Sequence, residues 1–132
     1  MDELRSRFLL GSTPGGRPLI VEGAGGLMVP LTRRTLYIDV FQRWGAPVIL
    51  CARTILGTIN HALLSVEALR RRGIPILGIV FVGHAMPDTE RTICDFGDVK
   101  CLGRLPLLSR LTPVTLVEAF ENGFRREDFT DR

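Results

Sequence analysis

The chain has 132 residues, with 17 Lys and Arg against 14 Asp and Glu for a formal net charge of +3, and 45% hydrophobic and 23% charged residues. These proportions fit one globular domain and exclude a charge-rich disordered chain. No apolar run approaches the ~20 residues that span a bilayer, and Met1-Asp2-Glu3-Leu4-Arg5 lacks the apolar core of a secretory signal, so a cytoplasmic protein without a membrane partner is expected.

In chain order, Leu4 and Phe8 lie one helical turn apart and suggest a short helix over 1–8, followed by a loop from Gly11 to Arg17. Leu19-Ile20-Val21-Glu22, bounded by Pro18 and Gly23, has the continuous apolar run of a strand covered on both faces. Leu27 to Leu31 is apolar with a proline near its end and is expected to lie along the sheet rather than join it. Tyr37 to Trp44 carries apolar side chains at 37, 38, 40, 41 and 44, which suits a short helix ended by Gly45. Val48 to Ala52 is the next central strand, with Cys51 in the core, and Arg53 to Gly57 its exit loop.

Thr58 is expected to cap a helix running to Arg72, with Ile59, Ala62, Leu63, Val66 and Leu69 on one face. Gly73 and Pro75 stop it. Ile76 to Val82 is a strand, Gly83 to Pro87 a loop, and Asp88 the cap of a helix ending near Phe96. Val99 to Leu105 is the last strand. Thr112-Pro113 opens a closing helix that ends around Gly123, and Phe124 to Arg132 is expected to fray. Strands alternating with helices indicate an α/β fold: four parallel strands, right-handed crossovers and helices on both faces, all within a single domain over 1–132.

Arg70-Arg71-Arg72 is the one basic cluster. At a helix end it complements the dipole, so no nucleic-acid partner is expected. Cys51, Cys94 and Cys101 show neither a C-x-x-C pair nor zinc spacing and are expected to be reduced.

Two stretches carry candidate chemistry. Glu22 is delivered by a strand to the rim where open α/β sheets bind ligands, and Gly23-Ala24-Gly25-Gly26 lets backbone N-H groups approach an anion closely. Gly57-Thr58-Ile59-Asn60 opens a helix whose first N-H groups and dipole favour an anion, although an ordinary capped helix has the same look. His61 and His84 have no acid partner nearby in sequence and read as structural.

Val21-Glu22-Gly23-Ala24-Gly25-Gly26-Leu27-Met28-Val29-Pro30-Leu31 resembles the corresponding segment of dethiobiotin synthetases, as does Ala52 to Ser65 within the stretch from Val48 to Gly73. The resemblance covers roughly Pro18 to Phe120. It implies a partial P-loop NTPase-like fold and an ATP-dependent ligase of biotin synthesis that turns 7,8-diaminononanoate and CO₂ into dethiobiotin through a phosphorylated carbamate. It further implies Glu22 as a Mg²⁺ ligand, and Glu22, Gly25 and Gly26 as catalytic residues beside the γ-phosphate and carbamate. Glu22, Gly23, Ala24, Gly25, Val82, Gly83, Pro106, Leu107 and Leu108 would bind the nucleotide. Gly57, Thr58, Ile59 and Asn60 would take the substrate's carboxylate tail across a homodimer interface.

The chain departs from the pattern in two ways. Many family members have an Asn where this chain has Val82, which leaves base recognition to backbone groups of Val82 and Gly83 and to Pro106–Leu108. No G-x-x-x-x-G-K-[ST] loop occurs in the 132 residues, and Lys100 is the only lysine. The expectation is therefore the C-terminal portion of such an enzyme: a shortened reading frame or one half of a split enzyme, inactive alone and served by a separate P-loop segment. The alternatives are a non-catalytic dimerisation or regulatory remnant, or a related ligase of the cobyrinic amidotransferase type.

Overall fold

The computed structural model describes residues 19–130. The expected helix over 1–8 and loop over 11–17 lie outside them. The elements in order are β1 (Pro30–Thr32), β2 (Thr35–Leu36), α1 (Tyr37–Trp44), β3 (Val48–Arg53), α2 (Thr58–Arg71), β4 (Ile76–Val82), α3 (Pro87–Gly97), β5 (Cys101–Leu105), α4 (Pro113–Gly123) and α5 (Glu127–Thr130).

Strands β3, β4 and β5 form a parallel sheet in that spatial order. Phe81 stands beside Arg104 and Val82 beside Leu105 in the ladder. Because alternate residues of a strand face opposite ways, Ala52, Ile79 and Phe81 meet Ala62 and Val66 of α2 and Ile93 of α3 in one core. Phe81, Ile79 and Ile93 are fully buried, each contributing about 1.5–3 kcal/mol of transfer free energy. A second core joins Ile38 of α1 to Leu69 and Ile74 around the end of α2.

On the opposite face Ile49, Val80 and Leu105 look into an open apolar groove of about 460 Å³, walled by Leu116, Val117 and Phe120 of α4. The α/β class with a parallel sheet and helices on both faces is therefore borne out. The strand count is corrected from four to three among the described residues.

The missing strand is Leu19–Glu22, which has no regular secondary structure. Ile20 is 90% exposed. The run is apolar enough, but a strand exists only through a ladder with a neighbour, and β3 pairs with β4 alone among the described strands. The outer edge of β3 is open among the described residues, and Cys51, expected in the core, is exposed on the open sheet face it shares with Ile49 and Val80. Of residues 27–31 only Pro30 and Leu31 enter a strand, β1, which pairs antiparallel with β2 in a two-stranded sheet of its own and does not join the parallel sheet.

Local signals fixed other boundaries. Helix α1 ends at Gly45 in the left-handed conformation, with its N-H donating to the Phe41 carbonyl. Thr112 caps α4 by accepting the Thr115 N-H at 3.2 Å, with Pro113 next.

Elsewhere the caps move. Gly57, not Thr58, is the N-cap of α2, and Thr58 is the buried first residue. The buried positions of α2 are Thr58, Ala62, Val66 and Leu69, so Ile59 turns outward. Met86, not Asp88, precedes α3, because Pro87 already supplies a helical φ. Strand β5 starts at Cys101 rather than Val99, since the Val99 N-H closes the end of α3 on the Cys94 carbonyl at 3.1 Å.

The segment after Gly123 does not fray within the described residues. Phe124 and Phe129 gather on Phe120, and Asp128 is tied to Lys100. The arginine run ends α2 as expected, with Arg70 on the Asp98 carbonyl, Arg71 on Glu67 and Arg72 on Asp39.

Candidate functional site

The loops after β3, β4 and β5 all leave the carboxyl end of the parallel sheet, the end at which open α/β sheets bind ligands. Their common edge is held by cross-links between strand ends. The Thr54 N-H donates to the Val82 carbonyl at 3.0 Å, and the Gly83 N-H donates to the Leu105 carbonyl at 2.9 Å.

Gly83 has φ +132, and a Cβ there would overlap the Thr54 hydroxyl. Only glycine lets the end of β4 pass this close to the buried Thr54. The Val82 carbonyl, the Gly83 N-H and the Gly83 carbonyl are all engaged within the chain, the last by Arg104 Nη1 at 3.3 Å. The exposed groups on this edge are those of His84, Ala85 and Met86 after β4, and of Pro106 and Leu107 after β5, with Leu108 half-buried.

Gly57 reaches φ +87 to start α2 without a side-chain cap, and the first turn carries no acid. The Thr58 N-H donates back to the Ile55 carbonyl at 3.1 Å, which makes the turn leading into the helix. Ile59, Asn60 and His61 are exposed around this start. The 14-residue helix behind it points its positive end at whatever binds there.

The Glu22 loop approaches from the side of β3. Glu22, Ala24, Gly25 and Gly26 are exposed, while Gly23 lies against the Phe41 and Tyr37 rings of α1. The Val29 N-H closes the turn on the Gly26 carbonyl at 3.2 Å. Glu22 is near enough to Cys51 for its charge to act on the thiol: burial pushes the Cys51 thiol up first, and the Glu22 carboxylate adds to the rise.

The edge thus brings together Gly57–Asn60 and Val82–Gly83 on consecutive strand exits, with Pro106–Leu108 following β5 and Glu22 beside β3. As a donor set for a metal, Glu22 offers one hard carboxylate. No group of three or more His, Cys, Asp or Glu among the described residues could form a cage. One carboxylate with phosphate oxygens is the usual donor set of Mg²⁺, so Glu22 fits a Mg²⁺ that arrives with a phosphate.

Sequence reasoning missed three residues of this edge: Thr54, Glu90 and Arg104. Arg104 was the legible one, a lone charge inside an otherwise uncharged strand, Cys101–Leu105. Glu90 Oε1 answers it at 3.4 Å.

Among known proteins, a family model described as an AAA domain matches residues 9–115. The chain is similar to proteins named ATP-dependent dethiobiotin synthetase BioD. It is 67% identical to that of Rhodopseudomonas palustris strain BisB18 over 112 residues, 85% of this chain and 54% of the relative. It is 64% identical to that of Bradyrhizobium sp. strain BTAi1 over 115 residues, 87% of this chain and 55% of the relative. It is 60% identical to that of Novosphingobium aromaticivorans over 116 residues, 88% of this chain and 56% of the relative. The chain therefore spans about half the length of the curated relatives it matches. No helix among the described residues is long and apolar enough to cross a membrane. With the family model spanning the Glu22 loop and all three strands of the parallel sheet, the chain belongs to the AAA domain family.

Proposed function

We propose that the chain provides the substrate-tail and nucleotide-base edge of an ATP-dependent dethiobiotin synthetase acting in the cytoplasm. The observation that carries this reading is the convergence of Gly57–Asn60, Val82–Gly83 and the loop after β5 on one end of the sheet, in a chain 60–67% identical to proteins of that name. The start of α2 holds the carboxylate tail of 7,8-diaminononanoate by N-H groups and dipole. The turn after β4 and Pro106–Leu108 border the adenine of ATP. Gly25 and Gly26 bring backbone amides close to the transferring phosphate and carbamate, where charge develops.

Glu22 is the carboxylate that would hold Mg²⁺, which when bound neutralises phosphate charge. The work of these residues is positioning: amine, CO₂-derived carbamate and phosphate are brought to reacting distance and kept there.

The phosphates themselves need a cradle of N-H groups and a lysine, which a P-loop segment joined to or separate from this chain supplies. The open edge of β3 and the apolar groove walled by Ile49, Val80 and Phe120 support that reading, since an added strand and helix would cover both. Two copies associate as a homodimer, so that the α2 start of one serves the site of the other.

Dethiobiotin formation from 7,8-diaminononanoate, bicarbonate and MgATP is the test. The purified chain alone is expected to give no product, and the chain co-expressed with a P-loop segment is expected to give it. Association of the two without any product would overturn the catalytic reading in favour of a dimerisation or regulatory module.

A further inference from the structure

We infer that Arg104 is a positioning residue that fixes the turn Gly83–Met86 for selection of the nucleotide base, an inference that rests on the functional reading above. The ladder sets Arg104 beside Phe81, on the sheet face covered by α3, where an unpaired charge would be costly. Its guanidinium is held from two sides. Nη1 donates to the Gly83 carbonyl at 3.3 Å, and Nε lies 3.4 Å from Glu90 Oε1.

The same Glu90 oxygen accepts the Met86 N-H at 3.0 Å, and the Met86 carbonyl accepts the Glu90 N-H at 2.9 Å. One guanidinium and one carboxylate therefore tie both ends of a four-residue turn, the first at Gly83 and the last at Met86. The pair is mostly covered, with side-chain exposures of 31% and 17%, so solvent screens it less than a surface pair.

Between the two ties His84 and Ala85 are exposed. Their peptide groups make no hydrogen bond among the described residues, and the ties set the direction in which they point. A base edge is distinguished by the order of its donors and acceptors, so a turn held in one orientation discriminates where a mobile turn would not. The ligand class is a nucleoside triphosphate. Arg104 acts on it through the turn and does not touch it.

The test compares the wild-type chain with Arg104→Ala and Arg104→Lys, each with the P-loop segment. Two readouts are taken: amide hydrogen exchange of Met86, and the ratio of ATP to GTP affinity in competition. Arg104→Ala is expected to speed Met86 exchange and to lower the ATP:GTP ratio, each by about tenfold, the scale of one charge-assisted hydrogen bond. Amides of Ile79 and Phe81 should remain protected, and Arg104→Lys should recover part of both effects.

Unchanged Met86 exchange overturns the positioning role. A loosened turn with an unchanged ratio overturns the link to base selection. Should Arg104→Ala lose protection throughout β4, Glu90→Gln, which weakens the Met86 tie from the helix side, is judged by the same two readouts. Failure of the wild-type chain to bind either nucleotide overturns the functional reading and base selection with it, while Met86 exchange still decides whether Arg104 holds the turn.

Discussion

The Lys100 ammonium donates to the Asp128 carboxylate at 2.6 Å across 28 positions of sequence. Arg125 adds a second contact at 3.3 Å. Together they draw α5 onto the start of β5 and hold Phe129 against Phe120 and Phe124.

The hydrogen bond from Lys100 holds the Asp128 carboxyl below its usual range, with Arg125 acting in the same direction. A lowered folded value means stability that is present above the unfolded pKa and is lost as pH falls through the folded one. The melting temperature of Asp128→Asn should therefore lie below wild type at pH 7. The gap should persist down to about pH 4, the ordinary carboxylate value, and close at lower pH. A gap that stays constant through acid would show that the ionised carboxylate is not what holds α5.

Cys94 should be the slowest of the three thiols to react. Burial first, and then the Cys101 thiol beside it, push its pKa up to about 11. Since the thiolate is the nucleophile, about one part in a thousand is reactive at pH 8. Peptide mapping after brief iodoacetamide treatment should find the exposed Cys101 labelled well before Cys94. Cys94 labelling should rise about tenfold per pH unit. Equal rates at pH 8 would contradict the placement of Cys94 at the edge of the core.

Phe81→Ala should cost about 3–5 kcal/mol in urea unfolding, because the ring is fully buried between β3, α2 and α3. Leu56→Ala should stay within about 0.5 kcal/mol of wild type, since Leu56 is fully exposed. Similar losses at both positions would mean that the core is not where the sheet and α2 place it.

Gly57→Val should raise the Michaelis constant for diaminononanoate in the enzyme completed by a P-loop segment, with that for ATP nearly unchanged. Gly57 sits at φ +87, where a β-branched residue costs about 1–3 kcal/mol and shifts the helix start. Glu22→Gln should lower turnover by on the order of 10²-fold, as loss of one preorganised charge does, and should recover little with added magnesium. A mixed dimer of the two variants should regain activity if the sites are shared between copies. Mixing that restores nothing beyond either parent, with association demonstrated, would sink the shared-site arrangement.

From Tyr37 to Gly123 the succession of strands and helices was determined by sequence alone because its signals are local. Tyr37–Trp44 and Ile76–Val82 fall where apolar spacing and the following glycine put them, and Thr112-Pro113 starts α4 through a hydrogen bond spanning three residues. The glycine that opens α2 at Gly57 was legible for the same reason, as a glycine next to a helix start.

The tertiary structure decided everything that needs a partner from elsewhere. Leu19–Glu22 has the composition of a buried strand, yet composition specifies burial and not a neighbour, and without a ladder the run stays irregular. Cys51 is exposed because it faces the same open side of the sheet as Ile49 and Val80, which no helix covers at β3 among the described residues. Arg104 meets Glu90, and Lys100 meets Asp128, only because register and crossover bring residues 14 and 28 positions apart to one place. Charge pairing at that range leaves no periodic trace in the chain.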